Sequence, residues 1–269
     1  MNFLFWNTNK NKVNNILKDI IIENNCDIVV LAEYEDNINS LLYSLDENDV
    51  DMYNFTMIAC ERIILLTRFK QSLIKRFSDD KHYVILQIPH KNIEIKNILM
   101  ASVHLPSKLK ADNTDLLFKM NDLINDLEKD EQISGCDNTI ILGDFNLNPF
   151  EEPMIAARCA HALSCKIVAR RKHRKIQKQK YKMFYNPMWN LFGDNEGVPG
   201  TYYYQSPGQK SYYWNIFDQV IIRPELINFF ENDSLKIITK TEKISLIKKR
   251  NKRPNEKISD HLPIFFTIS

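Results

Sequence analysis

Apolar residues recur along this chain with two periods, and the switches between them predict its elements. Residues 2–6 form a short apolar run, expected as a first strand. Val13, Ile16, Leu17, Ile20 and Ile21 then keep the spacing of one buried helix face, with Thr8 or Asn9 as the expected N-cap. Residues 27–33 (DIVVLAE) return to a continuous apolar run that ends in a glutamate. Strand, helix and strand in such quick succession predict a βαβ-like opening.

Further β-rich runs lie at 63–67, 83–88 and 95–104. Residues 113–131 predict a second amphipathic helix, with Leu116, Leu117, Met120, Leu123, Ile124 and Leu127 on one face. Residues 138–142 (NTIIL) read as a strand running directly into Gly143–Asn146, and 215–222 and 263–268 supply two late strands. The stretch from 159 to 210 looks irregular or mixed. No internal repeat and no flexible linker interrupts residues 1–269, which are expected to form one domain with an insert at about 159–213.

One arrangement repeats. An apolar strand delivers a polar residue at or near its end: Asn7, Glu33, His104, Asp144, then Asp218 within the penultimate strand and Ser259–His261 just before the last. The ends of strands in a rigid sheet hold side chains firmly and leave them open to solvent.

Composition narrows the class. With 44% hydrophobic and 26% charged residues the chain can bury a substantial core. The odd number of cysteines, 5, and the lack of any CxxC pair predict free thiols in a reducing compartment. No window approaches the roughly 18 to 20 apolar residues that span a bilayer, and the opening MNFLFWN does not read as a signal peptide, so a cytoplasmic location is expected.

The strand-end residues suit phosphoester chemistry. A hard divalent cation such as Mg2+ or Mn2+ takes carboxylate oxygens, with only one or two from protein. Glu33, helped by Asp260 and Asn7, fits that need. Hydrolysis also requires an activated water, donors to the phosphoryl oxygens and help for the leaving oxygen. Asp144 can orient or deprotonate the water, Asn146 and protonated His261 can donate, and His104 can serve as the acid.

Taken together, LAE at Glu33, GDFN at 143–146, FDQV at 217–220 and SDHLP at 259–263 resemble the endonuclease/exonuclease/phosphatase superfamily, whose fold is that of deoxyribonuclease I. The resemblance implies a four-layer αββα sandwich of two mixed sheets flanked by helices. It implies that Asn7 and Glu33 belong to the metal site, that Asp144 and Asn146 handle water and phosphate, and that Asp218 orients His261. It further implies that Glu61, in ERIILLTR, pairs with His104. Abasic-site enzymes of the exonuclease III type typically read QET where this chain has AEY (32–34), and tyrosine where it has His104, so abasic-site repair is disfavoured.

Charge is segregated although the net charge is only +2. From Met154 to Gly193 there is no Asp or Glu, while Arg170, Arg171, Lys172, Arg174 and Lys175 crowd together with further lysines. Aromatic residues follow, among them Trp189, Tyr203 and Trp214. Cations for phosphates and flat rings for bases are the components of nucleic-acid binding. The resemblance implies that the segment between GDFN and Asp218 lies near the active-site rim, where the insert is expected to hold substrate. The leading reading is a metal-dependent nuclease acting on DNA or RNA. The alternative is a phosphatase or phosphodiesterase of a small or lipid-borne phosphoester, such as an inositol phosphate or a nucleotide. A third, a binding module without catalysis, has no need of the full set of Glu33, His104, Asp144, Asn146, Asp218 and His261.

Overall fold

The βαβ opening forms as the periodicity predicts. In the computed structural model, which describes residues 1–193 and 197–269, β1 (Asn2–Asn7), α1 (Asn14–Glu23) and β2 (Ile28–Ala32) lead, and the two strands pair in parallel. Next come α2 (Ile38–Asp46), β3 (Tyr53–Phe55), β4 (Ile63–Thr67), β5 (Lys75–Asp80), β6 (Tyr83–Pro89) and β7 (Asn97–His104). The long helix α3 (Asn113–Ser134) crosses back to β8 (Thr139–Asp144), which lies parallel to β7. A capping box at Asp112 and Asp115 starts α3, and Gly135, at φ 64°, ends it.

After α4 (Glu152–Ile155) come the short pieces of the insert: β9 (Ala162–Leu163), α5 (Lys166–Ala169), β10 (His173–Ile176), β11 (Gln179–Lys182) and β12 (Phe184–Tyr185). Residues 194–196, inside the insert expected at about 159–213, lie outside the described residues. The chain closes with β13 (Tyr202–Tyr204), β14 (Tyr213–Asn215), β15 (Asp218–Ile222), β16 (Phe230–Ile237) and β17 (Ile264–Ile268).

Among the described residues two large mixed sheets result, one of 6 strands in the order β16-β17-β1-β2-β4-β3, the other of 7 in the order β5-β6-β7-β8-β15-β12-β9. The period of 2 along each strand assigns its side chains to separate layers. Phe3, Phe5, Ile28 and Val30 of the first sheet meet Val84, Leu86, Ile140 and Leu142 of the second in a central core. The alternate residues Leu4, Trp6, Val29 and Leu31 face outward onto α1 and α2, and Ile85, Ala101, Val103 and Ile141 face onto α3. Helix, sheet, sheet and helix are thus stacked as four layers, the architecture that the sequence resemblance implies.

Several local expectations differ. Neither Thr8 nor Asn9 caps α1; Val13 occupies the cap position, and Asp36 accepts the Asn14 N–H at 3.0 Å. The strand expected over 215–222 is broken at Ile216 and Phe217, where the Ile216 N–H turns to Asn148 Oδ1 at 3.0 Å. The strands β5 (KRFSDD) and β16 (FENDSLKI) carry almost no apolar alternation, because each lies at or beside a sheet edge and faces solvent for much of its length.

Candidate active site

The neighbouring ends of β1, β2, β7, β8 and β15 open into a cleft of about 430 Å³, and the strand-end residues gather there. Asn7, Glu33, His104, Asp144, Asn146, Asp260 and His261 all line it, although they span the chain from end to end. Each close couple joins one sheet to the other. From β1, Asn7 Nδ2 donates to Asp144 Oδ2 on β8 at 3.0 Å. His104 Nε2, at the end of β7, lies 3.4 Å from Glu33 Oε1, just past β2. His261, in the loop before β17, sets Nδ1 2.9 Å from Asp218 Oδ2 on β15.

The backbone aims these groups. Gly143 is required because β7 and β8 run so close that a Cβ there would stand 2.0 Å from the Val103 carbonyl oxygen. Glu33 and Asn146 adopt left-handed φ values of 49° and 52° at the strand ends, turning the chain sharply where the side chains must face the cleft. The backbone N–H of Asn146 donates to Asp144 Oδ1 at 2.8 Å, and its Nδ2 donates to the Leu105 carbonyl at 2.9 Å. The SDH loop is tied down by Ser259 Oγ, which donates to the Asn7 carbonyl at 2.8 Å and accepts the His261 N–H at 3.1 Å. Trp6 Nε1 donates to the His261 carbonyl at 3.0 Å.

Electrostatics distinguish the groups. Burial opposes a charge on His261, but Asp218, Asp144 and Asp260 outweigh it and raise the imidazole to about 10. Burial likewise pushes Asp218 up, countered by His261. The pair therefore holds a proton through the neutral range, on the ring that three carboxylates surround. The contact with His104 lowers Glu33 and keeps it ionised against partial burial. Asp260 is raised by burial and by the negative charges of Glu33 and Asp144.

This carboxylate crowding is what a cation relieves. Asp260 Oδ1 is buried with no hydrogen-bond partner, and Glu33 remains 31% exposed on the cleft wall. An unpartnered buried carboxylate oxygen beside a second carboxylate is a donor set that fits a hard divalent ion. Asp144, Asp218 and His261 also offer ligand atoms within 4.8 Å of one another, but His261 Nδ1 already occupies the Asp218 carboxylate. Asn7, expected among the metal ligands, donates to Asp144 and accepts the Asn9 N–H at 3.0 Å.

Other expected residues fall elsewhere. Glu61 is exposed in the turn before β4 and makes no hydrogen bond to His104 among the described residues; Glu33 takes that place, and the next residue, Arg62, lines the cleft. Arg170, Arg171, Lys172, Arg174 and Lys175 do not line the cleft. Their segment is rooted at the other end of the second sheet, where Lys172 pairs with Glu225 at 2.9 Å and Lys182 with Glu131 at 2.8 Å. Tyr185, just past Lys182, sits opposite Ile222, whereas Asp144 sits opposite Asp218. Along β15 that is about 13 Å from the cleft end, at roughly 3.3 Å per residue.

Strand alternation also decides the aromatic residues. On β13, Tyr202 and Tyr204 face the cleft, and the Tyr202 ring lies 4.6 Å from that of His261. Tyr203 points away, under the Arg253 guanidinium at 3.9 Å and edge-on to Trp214 at 5.4 Å. Trp214 packs on the outer core, and Trp189 stands behind the cleft against Phe150, which in turn touches Tyr212 on the wall. The cations that do line the cleft are Arg62, Lys108, Lys110 and Lys210. Lys108 and Lys110 were within reach of sequence reasoning, because they follow the strand-end His104 in VHLPSKLK.

No family model matches the sequence, and no curated protein sequence matches it. Solved structures do. An endonuclease/exonuclease/phosphatase family protein from Leptotrichia buccalis superposes with a TM-score of 0.56 at 16% identity, covering 100% of this chain and 99% of that one. An AP endonuclease from Archaeoglobus fulgidus gives 0.56 at 13%, with the same coverage of 100% and 99%. A 3′ phosphatase from Neisseria, bound to product DNA hairpin, gives 0.57 at 12%, again over 100% and 99%. At such identities the likeness is one of architecture, and this chain shares the fold of these proteins, that of deoxyribonuclease I.

Proposed function

We propose that this chain is a divalent-cation-dependent phosphodiester hydrolase, and that its substrate is nucleic acid. The observation that carries the reading is the meeting, in one cleft, of the Asp218–His261 couple, the doubly anchored Asp144 and the facing carboxylates Glu33 and Asp260. A magnesium or manganese ion held by Glu33 and Asp260 would supply positive charge to the phosphoryl oxygens. His261, with Nδ1 occupied by Asp218, has Nε2–H left to donate to a phosphoryl oxygen. Asp144, oriented by Asn7 and the Asn146 backbone, accepts a proton from the attacking water. One amide N–H of Asn146 remains beside the Leu105 bond for the phosphoryl group.

His104 acts as a positioning residue in this scheme, because its Nε2 lies 3.4 Å from Glu33 and 3.9 Å from Asp144, facing the carboxylates. The walls suit a nucleotide chain: Tyr202, Tyr204 and Tyr212 offer flat faces, and Arg62, Lys108, Lys110 and Lys210 offer cations. A second reading, a small phosphoester such as an inositol phosphate or free nucleotide, is favoured by the cleft volume of about 430 Å³, which lies within the range of small-molecule pockets.

The test is a panel of single- and double-stranded DNA, RNA, inositol phosphates and nucleotides, each with magnesium, manganese or chelator. Cation-dependent cleavage of nucleic acid, abolished in Asp144→Asn, is expected. Turnover of inositol phosphates or nucleotides alone would move the assignment to the second reading, and full activity in chelator would overturn the cation requirement.

A further inference from the structure

The antiparallel ribbon of β10 and β11 pairs with neither large sheet, and none of its residues reaches the cleft. Its cations fall into two groups. Those at its root are neutralised: Lys172 by Glu225, and Lys182 by Glu131 and Asp137. Those along it are not. Among the described residues no carboxylate lies within ion-pair distance of Arg171, Arg174, Lys175, Lys178 or Lys180. Register makes this worse for stability, since Lys175 stands directly opposite Lys180. Like charges facing across strands destabilise a ribbon. Beside the ribbon, Arg171, His173, Arg174 and Lys175 line a pocket of about 480 Å³ that no acidic residue enters among the described residues. Repelling cations held together at one exposed place, while their neighbours are paired, present a surface suited to an anion.

We propose that this ribbon docks the protein on duplex DNA, away from the phosphate being cleaved; the inference rests on the nuclease reading above. Two paired strands, about 4.8 Å apart, enter the major groove of B-form DNA, which is about 12 Å wide. The deep, narrow major groove of A-form RNA refuses them. Single strands are disfavoured because the ribbon offers little for stacking: Tyr181 is partly buried, with its hydroxyl donating to Gln179 Oε1 at 2.8 Å, and the small imidazole of His173 at one end is its exposed ring. A lipid surface is disfavoured because residues 171–180 expose only polar and charged side chains, and Ile176 lies in the groove against the body.

The experiment replaces Arg174, Lys175, Lys178 and Lys180 by glutamine in the full chain. Binding to a fluorescent DNA duplex is followed by anisotropy in chelator, across a salt series. For every phosphate that the variant no longer neutralises, binding should weaken about eightfold at 0.1 M salt relative to 1 M, and the log–log salt slope should fall by about 0.9. A fall in slope of about 1.8 or more is expected, with weaker binding of the wild type to duplex RNA of the same sequence. Hydrolysis of a small chromogenic phosphodiester, too short to reach the ribbon, should be unchanged. The melting temperature should hold or rise, because the Lys175–Lys180 repulsion is relieved, and Lys175→Gln alone should show the same signs at smaller amplitude. Unchanged duplex affinity and slope overturn the proposal, as does a loss seen only with phosphatidylserine vesicles. If the wild type cleaves no phosphodiester yet the ribbon variant still loses duplex affinity, the ribbon stands and the catalytic reading falls.

Discussion

The cleft and the basic ribbon both gather charge but handle it in opposite ways. In the cleft three buried or half-buried carboxylates each have a partner from the opposite sheet, Asp218 with His261, Glu33 with His104 and Asp144 with Asn7, and the buried Asp260 Oδ1 is left for a cation. On the ribbon, Arg174, Lys175, Lys178 and Lys180 are exposed, and among the described residues they have no acidic partner. Burial makes partners compulsory, since a lone charge in a low-dielectric site costs several kcal/mol. Exposure removes that demand, because water screens the charge at little cost. Substitutions should therefore be cooperative and severe in the cleft, graded and salt-dependent on the ribbon.

The largest effect expected is at the buried couple. Asp218→Asn and His261→Gln should each lower kcat by about 10³- to 10⁴-fold, and the double variant by little more, since a ring without its carboxylate has lost tautomer and position. Kinetics of the three variants decide this; additive losses would break the cooperative half of the comparison.

Next comes the carboxylate on the cleft wall. Glu33→Gln should reduce turnover by about 10²-fold or more and weaken Mn2+ binding measured calorimetrically, while the cation-free protein keeps its melting temperature. Near-wild-type cation affinity would exclude Glu33 from the binding set.

A smaller effect separates adjacent residues of β13. Tyr202→Ala should raise KM for a nucleic-acid substrate by about tenfold, the loss of one stacking face. Tyr203→Ala should leave KM alone and lower stability, because its ring sits between Arg253 and Trp214. Equal effects on KM would show that the strand alternation does not set the substrate wall.

The mildest test is pH. Asp218 and His261 are both raised, so the folded pair keeps its proton to higher pH than the unfolded chain. The stability it contributes is full below about pH 6.5, the ordinary histidine value, and is lost as pH rises through the folded value. In cation-free protein, the excess stability of wild type over Asp218→Asn should shrink toward pH 10, measured by urea unfolding. A difference that grows with pH would reverse the assignment of the proton.

Along the chain, the sequence determined the buried strands, the long helix and the residues each strand would carry at its end. Apolar periodicity is local, and a sharp strand end such as GDFN leaves its mark within a few residues. The polar edge strands β5 and β16 escaped because neither face is apolar enough to show a period. What only the tertiary structure decided is which strand ends meet. Asn7 and Asp144 are 137 residues apart, Trp6 and His261 are 255 apart, and nothing local states that the two sheets stack with those ends together. The same packing gave His104 to Glu33 rather than Glu61, turned Tyr202 inward and Tyr203 outward, and rooted the basic segment far from the cleft. Charge composition registers how many cations a segment holds, but where they stand follows from the burial of apolar faces elsewhere in the fold.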